Sequence, residues 1–64
     1  MTDREKDVLY QLALGHSTAD VAKILGISIN TVTTHTRKIH EKLRVNNRQQ
    51  AVIRAINMNL ISLA

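Results

Sequence analysis

Val21-Ala22-Lys23-Ile24-Leu25-Gly26-Ile27-Ser28-Ile29-Asn30-Thr31-Val32 is the stretch whose reading decides the fold. Ala22 is small enough for a following helix to cross close by at a steep angle. Gly26, four residues on, can adopt the positive φ that reverses the chain. Ile27 anchors the turn in the core, and Ser28 is a good cap for the next helix. Val32, six residues after Gly26, packs that helix back on Ala22. A link as short as Gly26-Ile27-Ser28 points to a helix-turn-helix rather than an antiparallel hairpin. The competing reading is an ordinary helical corner, because small helical domains are rich in Ala and Gly.

Upstream, Thr2-Asp3-Arg4-Glu5 reads as a capping box, with Thr2 and Glu5 each satisfying the other's N–H. Val8, Leu9, Leu12 and Ala13 recur at helical spacing until Gly15, which suits the left-handed position past a helix end. Ser17 and Asp20 repeat the start signal, and Val21, Ala22, Ile24 and Leu25 supply an apolar face. After Ser28, Val32, Ile39 and Leu43 fall in one narrow arc at about 100° per residue, with Ile29 and Thr36 at its edge. Asn46 or Asn47 can cap a last helix, and Asn59 can end it in the left-handed conformation. The fold class expected is all-α, a compact four-helix domain with helices at about residues 3–14, 18–25, 29–43 and 48–57.

Sixty-four residues leave room for one small domain. With no Cys, the chain has no disulfides, thiolate metal sites or thiol nucleophiles. Tyr10 is the only aromatic residue, so there is no stacking platform for single-stranded nucleic acid. No run of about 18 apolar residues exists to span a membrane, and a cytoplasmic protein is expected. No nucleophile–base pair or phosphate loop is visible, which argues against an enzyme. No cofactor is expected either.

The net charge of +4 is uneven. Residues 1–26 carry Arg4, Lys6 and Lys23 against Asp3, Glu5, Asp7 and Asp20. Residues 27–64 carry Arg37, Lys38, Lys42, Arg44, Arg48 and Arg54 against Glu41 alone. The basic excess therefore lies in the second half, as a polyanionic partner requires, although a solvated surface also accounts for it.

Opposite the apolar arc of helix 3 lie Asn30, Thr33, Thr34, Arg37, Lys38 and Glu41. An idle solvated helix is more often rich in Glu–Lys pairs four apart. Here short hydroxyls allow close approach to a groove floor, a Thr methyl can meet a thymine methyl, and Arg37 can make a two-pronged bond to guanine. Four threonines within residues 31–36 also cost helix stability, which points to another use for them.

His35 flanks the buried arc and is expected to be a packed histidine bonding backbone or phosphate, not a metal ligand. It points about 140° away from His40, so the two cannot share a metal. Glu5 and Arg48 are candidates to pair across helices 1 and 4; otherwise they are two independent exposed charges. Lys42 and Arg44 can reach phosphates or stand as a solvated helix end. Helix 4 has a wide apolar arc centred on Ala51, Ala55 and Met58. Val52, Ile53 and Ile56 extend it as a candidate homodimer contact, unless the tail from Leu60 to Leu63 folds over them.

Taken together, the chain resembles the LuxR-type (GerE- or FixJ-type) helix-turn-helix domain. The matching residues are Thr2-x-Arg4-Glu5-x-x-Val8-Leu9, Gly15-x-Ser17, and Val21-Ala22-x-x-Leu25-Gly26-Ile27-Ser28. They continue with Thr31-Val32-x-x-His35-x-x-x-Ile39-x-x-Lys42-Leu43, Asn47-Arg48-x-x-Ala51 and Leu60-Ile61. The resemblance spans essentially the whole chain.

It implies one DNA-binding domain over residues 1–64, usually the C-terminal output domain of a bacterial transcription regulator. A receiver or ligand-binding domain would precede it. Helix 3 would enter the major groove of double-stranded DNA. Thr33, Thr34, Arg37 and Asn30 would then face base edges, while Thr31, Lys38, Thr18 and Lys42 would hold phosphates. Ile53, Ile56 and Val52 on helix 4 would join two copies, and RNA polymerase is a further partner the resemblance admits. Glu5, Leu9 and Gly15 match positions that maintain the domain.

Three residues depart from the family pattern. Thr33 stands where Lys is frequent, Met1 where Leu is usual, and Asn59 where Gly is usual. A sigma-factor-like promoter-recognition domain uses a similar four-helix arrangement, but Asn47-Arg48 and Leu60-Ile61 favour the LuxR type. A helical protein-interaction module is the other alternative, and the Arg37-Lys38 pair argues against it.

Overall fold

Each helix begins directly after a residue whose side chain caps it. In the computed structural model, which describes residues 1–63, the four helices are α1 (Asp3–Ala13), α2 (Thr18–Leu25), α3 (Ile29–Leu43) and α4 (Arg48–Asn57). No strand occurs among the described residues. Thr2, Ser17, Ser28 and Asn47 each accept the N–H three residues on, from Glu5, Asp20, Thr31 and Gln50. Between the two candidates for the last cap, Asn47 is the one used. α1 stops one residue before the predicted end, with Leu14 as its C-cap.

All four helices end in the same way. A left-handed residue follows each end, directly after α2 and α3 and one residue later after α1 and α4: Gly15, Gly26, Arg44 and Asn59, with φ of 95°, 69°, 56° and 58°. The N–H of the following residue then reaches back five positions. His16 donates to Gln11 O, Ile27 to Ala22 O, Val45 to His40 O and Leu60 to Ala55 O, at 2.9–3.3 Å. This paired closure satisfies carbonyls the helix would otherwise leave bare. At α2 it sets the turn into α3, because Gly26 adopts the reversed conformation without steric cost.

The core is built from Val8, Leu9 and Leu12 of α1, Val21 and Ala22 of α2, and Val32, Ile39 and Leu43 of α3. Ala51 and Ala55 of α4 and Val45 in the α3–α4 link complete it. α1 and α3 each pack against all three other helices, whereas α2 and α4 do not meet. Small alanines at 51 and 55, both buried, let α4 approach α1 and α3 closely. Met1, Leu25, Ile27, Val52, Leu60 and Ile61 close over this centre, half-buried.

Three apolar expectations need correction. Ile24 is 50% exposed and Met58 is 56% exposed. Ile29 also faces outward, in the first turn of α3. Met58 lies past the end of α4, where the chain leaves the helical register, so it does not share the inward face of Ala51 and Ala55. At about 100° per residue, Ile24 falls about 60° from Val21 on the side away from Ala22, outside the narrow stripe that α2 turns inward through those two residues.

Candidate nucleic-acid interface

Every residue expected on the outward face of α3 is exposed: Asn30, Thr33, Thr34, Arg37, Lys38 and Glu41. The buried residues Val32, Ile39 and Leu43 hold the opposite face against the core. Ser28 starts the helix, and its hydroxyl lies 2.8 Å from that of Thr31. Thr18, at the start of α2, lines one open groove together with Thr33, Arg37 and His40 of α3. The turn at Gly26 therefore brings Thr18 beside Thr33 and Arg37.

The threonines have a specific hydrogen-bond arrangement. Thr33 Oγ1 donates to Ile29 O at 3.1 Å, and Thr34 Oγ1 donates to Asn30 O at 3.0 Å. Thr36 Oγ1, on the half-buried side, donates to Val32 O at 2.9 Å. Bonding of this kind to the previous turn gives helical threonines a second partner beyond the ordinary ladder. Arg37 Nε lies 4.0 Å from Glu41 Oε1, one turn along, in an exposed and weak pairing. Lys38 forms no ion pair among the described residues.

Two basic residues of the second half have partners inside the protein. Lys42 Nζ lies 2.7 Å from Glu5 Oε1, and Glu5 is only 2% exposed. The same oxygen accepts the Thr2 N–H at 2.9 Å and the Thr2 hydroxyl at 3.0 Å. The hydrogen bond from Lys42, then the Thr2 N–H, hold the Glu5 carboxyl down to about 2 from its ordinary 4.5, against the opposing effect of burial. Lys42, expected at a phosphate, is thus engaged in a contact between α1 and α3.

The candidate link between Glu5 and Arg48 does not form, and neither residue is an independent exposed charge. Arg48 Nη2 instead donates to Leu12 O and His16 O, both at 2.6 Å, and Nε donates to Leu12 O at 3.2 Å. α1 has no basic residue in its own last turn. Arg48 supplies one from α4, where a cation meets the negative end of the helix dipole. His35 is half-buried as expected, yet its Nδ1 has no hydrogen-bond partner, and the same holds for His40 Nε2. No group of three or more potential metal-ligating side chains assembles among the described residues.

On α4, Ile53 is 53% exposed and Ile56 is 39% exposed, while Val52 is half-buried. Leu60 and Ile61 pack on the core without covering the two isoleucines. Ile53 forms a ridge between two shallow grooves. One is lined by Arg44, Arg54 and Met58, the other by Leu12, Arg48 and Val52. No helix is long and apolar enough to cross a membrane, among the described residues.

Comparison with known proteins sets this geometry in context. The family described as bacterial regulatory proteins, luxR family (GerE), matches residues 1–55. The response regulator protein VraR of Staphylococcus aureus is 44% identical over 61 residues, covering 95% of this chain and 29% of the relative. VraR of Staphylococcus epidermidis matches to the same extent. The chain thus spans under a third of the length of these relatives. The solved structure of the transcription factor GerE superposes with a TM-score of 0.93 at 33% identity, covering 100% of this chain and 96% of that one. VqmA bound to DPO superposes at 0.88 with 30% identity, covering 100% of this chain and 32% of that one.

Proposed function

Because this chain belongs to the luxR family of bacterial regulatory proteins, we propose that its 64 residues are the DNA-reading output domain of a longer regulator. Its helix-turn-helix serves DNA binding in transcription regulation. The finer reading is that α3 enters the major groove. Thr33, Thr34, Arg37 and Asn30 read base edges there, while Thr31, Lys38 and Thr18 hold phosphates. One observation carries this reading: the turn at Gly26 gathers Thr18, Thr33 and Arg37 along one groove, and Lys38, next to Arg37 in sequence, is exposed and in no ion pair among the described residues. Lys42 is half-exposed, and it reaches a phosphate only by sharing its ammonium with Glu5.

Ile53, Ile56 and Val52 join two copies on DNA, aligning two half-sites about one helical turn apart. A single copy then binds weakly. A receiver or ligand-binding domain on the N-terminal side supplies the control, consistent with the share of VraR that this chain spans. The regulator works in the cytoplasm, where bacterial DNA lies, with RNA polymerase as its downstream partner.

DNA titration at several salt concentrations tests the roles. Arg37→Ala lowers affinity for the selected site by about 1–3 kcal/mol and leaves random DNA nearly unaffected, as a base contact does. Lys38→Ala weakens both and reduces the dependence on salt, as a phosphate contact does. Equal losses on specific and random DNA for both variants overturn the assignment.

A further inference from the structure

The hydroxyl protons of Thr33 and Thr34 are already committed. Each is donated to a carbonyl one turn back, Ile29 O at 3.1 Å and Asn30 O at 3.0 Å. A Thr hydroxyl has one proton and two lone pairs. Outward from the helix, these two side chains therefore present acceptors only, together with a methyl group. Thr31 differs, because either its hydroxyl or that of Ser28 can be the donor in their 2.8 Å contact. Arg37, one turn along, has donors only.

Base edges in the major groove carry opposite polarities. Adenine N6 and cytosine N4 offer a proton, whereas guanine N7 and O6 and thymine O4 only accept one. An acceptor-only threonine facing guanine sets lone pair against lone pair. Turning the hydroxyl toward guanine breaks its bond to the helix. Facing adenine or cytosine, it accepts the amino proton and keeps that bond.

Resting on the DNA-reading function above, we propose that Thr33 and Thr34 select a strand bearing adenine or cytosine beneath them, with guanine nearby under Arg37. The spacing follows from the helix. Thr33 and Arg37 are four residues apart, a rise of about 6 Å, or at most about two base steps of 3.4 Å. The recognised element is an amino-bearing base followed within two pairs by guanine, its direction set by the direction of α3. This polarity also gives a reason for Thr33 itself. A lysine at this position would be a pure donor and would favour guanine or a phosphate.

The test is binding-site selection from random duplex DNA with the full chain at low salt. It is followed by titration of the selected duplex with single amino groups deleted, using purine for adenine or 2-pyrimidinone for cytosine. Deleting the amino group beneath a threonine should weaken wild-type binding on the order of two- to tenfold, as loss of one hydrogen bond does. Thr33→Val and Thr34→Val keep the branched shape and the methyl group. Each should be insensitive to the deletion beneath it. Guanine or thymine selected beneath the threonines overturns the proposal while leaving the DNA-reading function intact. So do Val variants that remain sensitive, or a wild-type chain indifferent to amino deletion. If wild type selects no sequence, both readings fail together. A Val variant that does not fold leaves the wild-type response to amino deletion to decide.

Discussion

Lys42 Nζ lies 2.7 Å from Glu5 Oε1, joining the end of α3 to the first turn of α1 across 37 residues of chain. The carboxylate it meets also closes the cap at Thr2. One oxygen therefore serves local helix initiation and tertiary docking together.

The Glu5 carboxyl titrates at about 2 when folded, below its ordinary 4.5, and so contributes stability that is fully present above about pH 4.5. That contribution drains away as pH falls from there through about 2. Discounted for the half-exposed Lys42, it is worth on the order of 2 kcal/mol. Glu5→Gln should be less stable at pH 7 by about that amount, and the gap should close toward pH 2. Thermal melts across this pH range measure it. A gap that stays constant would mean that the charge of Glu5 is not what matters.

Arg48→Ala removes the donors to Leu12 O and His16 O, leaving two half-buried carbonyls at the end of α1 without their cation. A loss of about 2–3 kcal/mol is expected, as for hydrogen bonds to charged groups. Arg48→Lys should recover only part of it, because an ammonium cannot reproduce the guanidinium fork. Amide exchange should quicken first at His16 and Gly15. Denaturant melts of both variants give the energies.

Much of this fold is legible in sequence because its devices are local. Thr2 with Glu5, Ser17 with Asp20, and Ser28 with Thr31 lie three residues apart, as capping requires. Gly15, Gly26 and Asn59 are residue types that tolerate a positive φ. Arg44 takes the same conformation, yet arginine gives no signal for it. The contacts of Lys42 and Arg48 span 37 and 36 residues, so no pattern of spacing announces them. The outward face of α3 follows from helical geometry alone. The direction of the Thr33 and Thr34 hydroxyl protons required three-dimensional placement. A threonine in a helix interior is itself the cue to look for such a bond.

Arg44→Gly should stabilise the protein. Arg44 holds φ at 56°, a region that costs a side-chain-bearing residue about 1 kcal/mol and glycine little. A rise in melting temperature of about 4–8 °C is expected for a domain of this size. Calorimetry decides it, and an unchanged or lower midpoint would show that the Arg44 side chain contributes more than its backbone costs.

Ile53→Glu places a charge on the exposed ridge of α4 without entering the core. The fold should keep its melting temperature within about 2 °C, as surface substitutions do. Sedimentation with a two-half-site duplex should show two copies bound for wild type and one for the variant. Two copies bound with undiminished cooperativity in the variant would remove α4 from the contact.

The internal use of Lys42 and Arg48 also limits how this protein can respond to ions in solution. Of the six cations of the second half, Arg37 is assigned to a base edge, and Lys42 and Arg48 are held by partners within the fold, which leaves Lys38, Arg44 and Arg54 to displace counterions from a DNA backbone. Each phosphate neutralised releases about 0.9 of a condensed ion, so this half of one copy gives a log–log salt slope no steeper than about −3. The charges of Lys42 and Arg48 are spent on holding the helices together. An operator-bound pair of copies should therefore remain on its site at ionic strengths that strip proteins whose grip is mostly charge.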